Sequence, residues 1–182
     1  MRRWFSETIH SDDPLVEAGN MIALVVAGNQ PFYPLYLWMI IGDEAWRSWN
    51  VIAAIPFFLA VPFVARRSSV AGRALLPVVG IVNTIASIWL LGAEAGLAFF
   101  FVPCAAIAAI LFRARERLVM LAIVGFAMLA WWLSAGWARG VFSTADYASI
   151  QRLNAMSAIA LCGFLGIVLA GALARVETGQ RH

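Results

Sequence analysis

Two amides, two prolines and four aromatic side chains crowd the run Asn29-Gln30-Pro31-Phe32-Tyr33-Pro34-Leu35-Tyr36-Leu37-Trp38, which lies inside an otherwise apolar stretch. Pro31 and Pro34 each remove a backbone donor and press on a preceding carbonyl, so the run predicts a kinked helix with freed backbone acceptors near mid-span. In lipid those acceptors must be satisfied by protein. Asn29 and Gln30 can do this, or they can face a cavity and hold the polar end of an amphiphilic ligand walled by Tyr33, Tyr36 and Trp38. Tyr36 and Trp38 also suit an interfacial aromatic belt. A second polar group, Asn83, Thr84 and Ser87, has Asn83 and Ser87 four residues apart and therefore on one helix face. Such residues either join helix to helix or touch a ligand. If the two groups meet, the first and third helices enclose a pocket.

A third pattern is made of small residues. Gly163, Gly166, Ala170, Gly171 and Ala174 fall in the last apolar stretch, and Gly166, Ala170 and Ala174 recur every fourth position. That ridge suits close helix contact, either within the chain or between two copies in a homodimer. Cys104 and Cys162 lie in apolar stretches with no CxxC spacing and read as small packing residues. The two histidines, His10 and His182, stand near the ends of the sequence, where they offer no ligand for haem or zinc inside a span. Every Asp and Glu falls at a predicted membrane surface, whereas proton-coupled transport and intramembrane hydrolysis need ionisable groups within it. The sequence therefore reads as a non-enzyme without cofactor or metal, leaving binding, sensing, packing or passive permeation.

The elements that must position these residues are membrane helices. Of the 182 residues, 63% are hydrophobic and 13% charged, and the mean hydropathy is +0.83. Soluble domains hold about 25% charged residues. Apolar runs bounded by charge predict six spans, at 18–41, 48–65, 73–92, 95–112, 118–137 and 154–174, in a single all-α domain of 182 residues. Ala93 and Glu94, flanked by Gly92 and Gly96, predict a tight turn between the third and fourth spans. Ten of the 13 arginines then fall on one side, and Arg47, Arg139 and Arg152 on the other. Positive charge collects on cytoplasmic loops, so both termini are expected in the cytoplasm, with the chain in a bacterial inner membrane. The pI near 9.4 is explained by arginines at helix ends facing anionic lipid rather than nucleic acid. The N-terminal segment lacks the apolar core and cleavage site of a signal peptide.

The stretch Leu91-Gly92-Ala93-Glu94-Ala95-Gly96-Leu97-Ala98-Phe99-Phe100-Phe101-Val102-Pro103, continuing to Leu111-Phe112-Arg113-Ala114-Arg115-Glu116-Arg117, resembles the third-to-fifth helix region of six-helix membrane domains. These domains precede bacterial class III adenylate cyclases and some sensor histidine kinases of the quorum-sensing type. A longer fifth-to-sixth loop, Leu153-Asn154 opening the last span, and a charged exit with Arg175 and Glu177 extend the likeness over most of the chain. The resemblance implies a receptor for a lipophilic signal that passes a change in its last helix to a dimeric cytoplasmic effector. The chain ends eight residues after the last predicted span and holds no cyclase or kinase sequence, so a separate partner protein is expected. The alternatives are a small transporter or channel subunit for a neutral solute, gated at the broken first helix, and a structural subunit of a membrane complex.

Overall fold

The computed structural model describes residues 8–137 and 140–179, with side chains described as far as residue 172. All secondary structure among the described residues is helical. The first helix, α1 (Pro14–Asn29), starts where Asp13 accepts a hydrogen bond from the Leu15 amide and Pro14 supplies a first-turn residue that needs no donor. It breaks at Gln30-Pro31 and resumes as α2 (Phe32–Ile41). At Gly42, with φ of 67°, the chain doubles back into a 3-10 segment (Gly42–Ala54) that continues as α3 (Ile55–Arg67), packed along α1. Ser68 caps α4 (Ser69–Leu91) by accepting from the Ala71 amide.

Beyond α4 the predicted tight turn is present. Gly92 and Gly96 both hold positive φ, 94° and 72°, around a single 3-10 turn (Ala93–Ala95). A further 3-10 turn (Leu97–Phe100) leads into α5 (Phe101–Leu111). Another (Ala114–Glu116) leads into α6 (Arg117–Ser134), and the last helix is α7 (Thr144–Gly179).

The polar stretch 138–153 reads as a loop, yet helix begins at Thr144. The reason is packing: Tyr147, Ile150 and Asn154 are all buried, and this turn-rich stretch of α7 lies against the Gly92–Gly96 turn. Tyr147 donates to the Leu91 carbonyl at 3.1 Å, and Asn154 donates to the Ala95 carbonyl at 2.8 Å. Tertiary hydrogen bonds thus carry the helix through residues whose polarity reads as loop.

Four helical stretches among the described residues are long and apolar enough to cross a membrane: Pro14–Arg67, Ser69–Leu91, Ala114–Ser134 and Thr144–Ala172. The first is 54 residues long and is the one that doubles back at Gly42, while Leu97–Leu111 is a shorter apolar helix. Met39, Leu118, Trp132 and Ile167 are 76%, 77%, 75% and 73% exposed, which suits a surface solvated by lipid chains rather than water. The chain is an all-α membrane protein. One end of the bundle gathers Arg66, Arg67, Arg113, Arg115 and Arg117, and the other gathers Trp38, Trp46, Trp49, Trp89 and Trp137.

Candidate functional site

Helices α1, α3, α4, α5 and α7 touch in a closed ring, α1 to α3, α3 to α4, α4 to α5, α5 to α7 and α7 to α1, with α6 packed outside against α4 and α5. These helices line a cavity of about 630 Å³ that opens to the outside, where Val25, Asn29, Tyr36 and Ala160 of its lining are exposed. Small-molecule sites commonly run about 300–1,000 Å³. The break in α1 contributes Asn29, Gln30, Tyr33 and Tyr36, and α4 contributes Asn83, Thr84 and Ser87. Seven of the eight residues singled out from the sequence therefore line one space.

The eighth does not. Trp38 is 58% exposed on the outer face of α2 and is absent from the lining. Two residues beyond Tyr36 it turns away from the bundle, which is the position of an interfacial belt residue.

Polarity inside the cavity is used unevenly. Among the described residues, Asn29, Gln30 and Asn83 form no side-chain hydrogen bond to the protein although they line it. Thr84 returns its hydroxyl to the Gly80 carbonyl at 2.9 Å within its own helix. Only Ser87 joins two helices, accepting from Asn50 at 2.9 Å. Outside the lining, the Asn50 and Asn154 carboxamide oxygens are buried without a hydrogen-bond partner, and Asn154 is the polar neighbour of the Tyr33 hydroxyl. Such orphans are uncommon, because leaving a buried polar group unmade costs about 1–3 kcal/mol. Asn50 and Asn154 were not singled out from the sequence. Their flanks, Trp49 and Val51 for one and Leu153 and Ala155 for the other, carry no signal that distinguishes a buried amide from one at a helix end.

The family comparison decides between the architectures that such a bundle could serve. The MASE7 model, describing a family of membrane-associated sensor domains, matches residues 16–178. This chain belongs to the MASE7 family. No curated protein and no solved structure matches it.

In this MASE7 domain the exit helix is part of the cavity wall: α7 contributes Ser157, Ala160, Leu161 and Phe164. The small-residue ridge is on another face. Gly163, Gly166 and Ala170 are exposed, and added Cβ atoms at Gly163 or Gly166 would meet nothing within 4 Å. α7 packs inward through Ile150, Asn154, Ala158, Leu165 and Ala172. The Ala174 side chain lies outside the described residues. Cys104 is buried in the cavity wall with its sulfur close under Gly80, and Cys162 is a second free thiol.

At the arginine-rich end the MASE7 domain holds a polar cluster that the sequence reading missed. Arg73, counted there among the charges facing lipid headgroups, is 1% exposed. Its guanidinium donates two hydrogen bonds to the Glu116 carboxylate, both at 2.9 Å, and a third to the Leu111 carbonyl. The Arg73 Nε donates to Ser69, whose hydroxyl donates to Asp13 at 3.2 Å, and Asp13 accepts from Arg113 at 2.9 Å. The cluster ties the start of α1, the start of α4 and the segment between α5 and α6 into one unit. Hydrogen bonds from Arg73 hold the Glu116 carboxyl down at about 2. Burial opposes ionisation of Asp13, but the Leu15 amide and Arg113 outweigh it and hold its carboxyl below the ordinary value of 3.8.

Proposed function

We propose that this domain crosses a bacterial inner membrane six times with both termini in the cytoplasm, and that it is a receptor rather than an enzyme. An apolar or amphiphilic small molecule occupies the cavity, and occupancy is passed through α7 to a cytoplasmic effector of the cyclase or kinase kind that the sequence resemblance implies. The observation that carries this reading is the composition of one wall. Amides without protein partners at the α1 break and on α4 face a space whose opposite side is the exit helix, so a bound molecule would touch both. A ligand shifts an equilibrium only through contacts that differ between states, and contact with α7 supplies them. The six-pass reading is supported by the doubling back at Gly42, and it counts the short Leu97–Leu111 helix as a pass beside the four long stretches.

The test is native mass spectrometry of the chain purified in mild detergent. Wild type is expected to carry a bound small amphiphile, and Asn29→Leu and Gln30→Leu to lose it with unchanged circular dichroism and melting temperature. Retention of the same molecule by both variants, or its absence from wild type, sinks the receptor reading.

A second reading rests on the break itself. Discontinuous helices near mid-membrane commonly bind transported solutes. Flux of a neutral solute through proteoliposomes would favour that alternative, whereas a receptor binds without flux.

A further inference from the structure

The cavity is graded along its length. Following α1 and α2 from the arginine-rich end to the tryptophan-rich end, its lining changes from Val25 and Val26 to Asn29, Gln30, Tyr33 and Tyr36. Along α4 it changes from Leu76 and Gly80 to Asn83, Thr84 and Ser87. In α7, which runs the other way, Ser157 precedes Ala160, Leu161 and Phe164, whereas the α3 pass (Val51, Phe58) and the α5 side (Leu97, Phe100, Cys104, Ile107) add no amide, hydroxyl or charge. The amide and hydroxyl side chains of the lining therefore all fall in the tryptophan-rich half, and the arginine-rich half has none. No Asp, Glu, Lys, Arg or His is among the lining residues.

The polar half of the lining holds the amides of Asn29, Gln30 and Asn83, which form no side-chain hydrogen bond to the described residues, beside the hydroxyls of Tyr33, Tyr36 and Ser87. Each of those amides both donates and accepts, as does each hydroxyl. A head group that itself donates and accepts meets both ends of such an amide. A carboxylate only accepts and brings a charge that no lining residue can neutralise, which is costly in a low-dielectric site. An alkane does neither.

Phe164 then sets the far boundary. It lines both the main cavity and a second one of about 230 Å³ between α1 and α7, whose wall includes Ala18, Met21, Ile167 and Val168. Resting on the receptor reading above, we infer that the ligand is an uncharged amphiphile, an alcohol or primary amide on a straight alkyl chain. Its head lies among Asn29, Gln30, Tyr33 and Asn83, and its tail points to the arginine-rich end, with Phe164 as the stop that measures chain length. A ligand so placed lies along α7 from Ser157 to Phe164, about 10 Å at 1.5 Å per residue.

The full chain in nanodiscs is labelled with a fatty alcohol carrying a diazirine at the chain terminus, and competed with dodecanol, dodecanamide, ionised dodecanoate or dodecane. Crosslinks are expected within residues 161–172 and the first turns of α1, with the alcohol and amide competing about ten-fold better than the other two. Phe164→Ala is expected to shift preference toward hexadecanol over dodecanol by about ten-fold, and Phe164→Trp to shift it toward shorter chains. Two results overturn this inference while leaving a receptor in place: dodecanoate competing as well as dodecanol, or crosslinks confined to residues 30–50. Unchanged chain-length preference in both Phe164 variants removes the stop. If no probe competes or crosslinks at all, the receptor reading falls with it.

Discussion

A buried guanidinium is tolerated only when its donors are met, and Arg73 meets them through Glu116, Leu111 and Ser69. Removing one partner leaves the other charge buried and uncompensated. Glu116→Gln is therefore expected to cost about 3 kcal/mol, read as a lower melting temperature in detergent, while the double variant Arg73→Met with Glu116→Leu regains most of it. The pH dependence follows with its sign. The Glu116 carboxyl sits at about 2 instead of 4.5, so its ionised form is favoured by the fold. The stabilisation is complete above about 4.5, the unfolded value, and disappears as pH falls towards 2. Wild type should lose stability in that window more steeply than Glu116→Gln. A parallel acid melting profile in the two proteins would remove Glu116 from the account. This pair was not legible in the sequence because its members are 43 residues apart, and an arginine opening a span looks the same whether it faces headgroups or a carboxylate. The cavity residues were more legible. Asn29, Gln30, Asn83 and Ser87 are polar side chains in apolar helices, where each needs a reason to be present, whereas Asn50 and Asn154 sit where a helix end explains them equally well.

Elements, in this bundle, are shaped by where backbones can approach and where they cannot continue. The α1 break follows from Pro31, which has no N–H to give the Ala27 carbonyl, so the regular bonding ends with the Gln30 amide donating to Val26 at 3.1 Å. Pro31→Ala lets the helix run on through this point, so it is expected to raise the melting temperature and to weaken binding of the alcohol probe about ten-fold by moving Tyr33 relative to Asn29. Raised stability with unchanged binding would show that the break does not shape the cavity. The hairpin of α3 and α4 depends on contact, not on turn chemistry. A Cβ at Gly72 would stand 2.4 Å from the Ala65 Cβ and 2.5 Å from its Cα, so backbone itself blocks the space. Gly72→Ala should destabilise by about 1–3 kcal/mol in the same melting assay. The turn between α4 and α5 was readable from Gly92 and Gly96, because two glycines around one acid leave few other conformations. The early start of α7 was not, since Gln151 and Arg152 look like loop residues until Tyr147 and Asn154 are seen to bond the Leu91 and Ala95 carbonyls.

For the whole molecule, the sequence carried the fold class outright, because an apolar fraction of 63% has no soluble solution. It could not carry the shape of the ring, which depends on which helices touch. That ring assigns two faces of α7 to two tasks. One face, with Ser157, Leu161 and Phe164, belongs to the cavity; the other, with Gly163, Gly166 and Ala170, meets no part of its own chain. Helices in lipid associate where small residues let backbones approach, and that outward face offers such a surface next to the exit from the membrane. Two copies joined there would place their exit helices side by side, so that a ligand pressing on the inner face alters the spacing delivered to a dimeric effector. Gly166→Leu tests this arrangement cleanly, because its side chain enters open space in the monomer. Thermal stability of the monomer is expected to stay within about 0.5 kcal/mol of wild type, while the dimer fraction in liposomes, measured by energy transfer between labelled copies, falls several-fold. The alcohol probe should bind the variant as it binds wild type, since the cavity is on the opposite face. Equal energy transfer in the two proteins would place the dimer contact, and with it the route out of the membrane, on another helix.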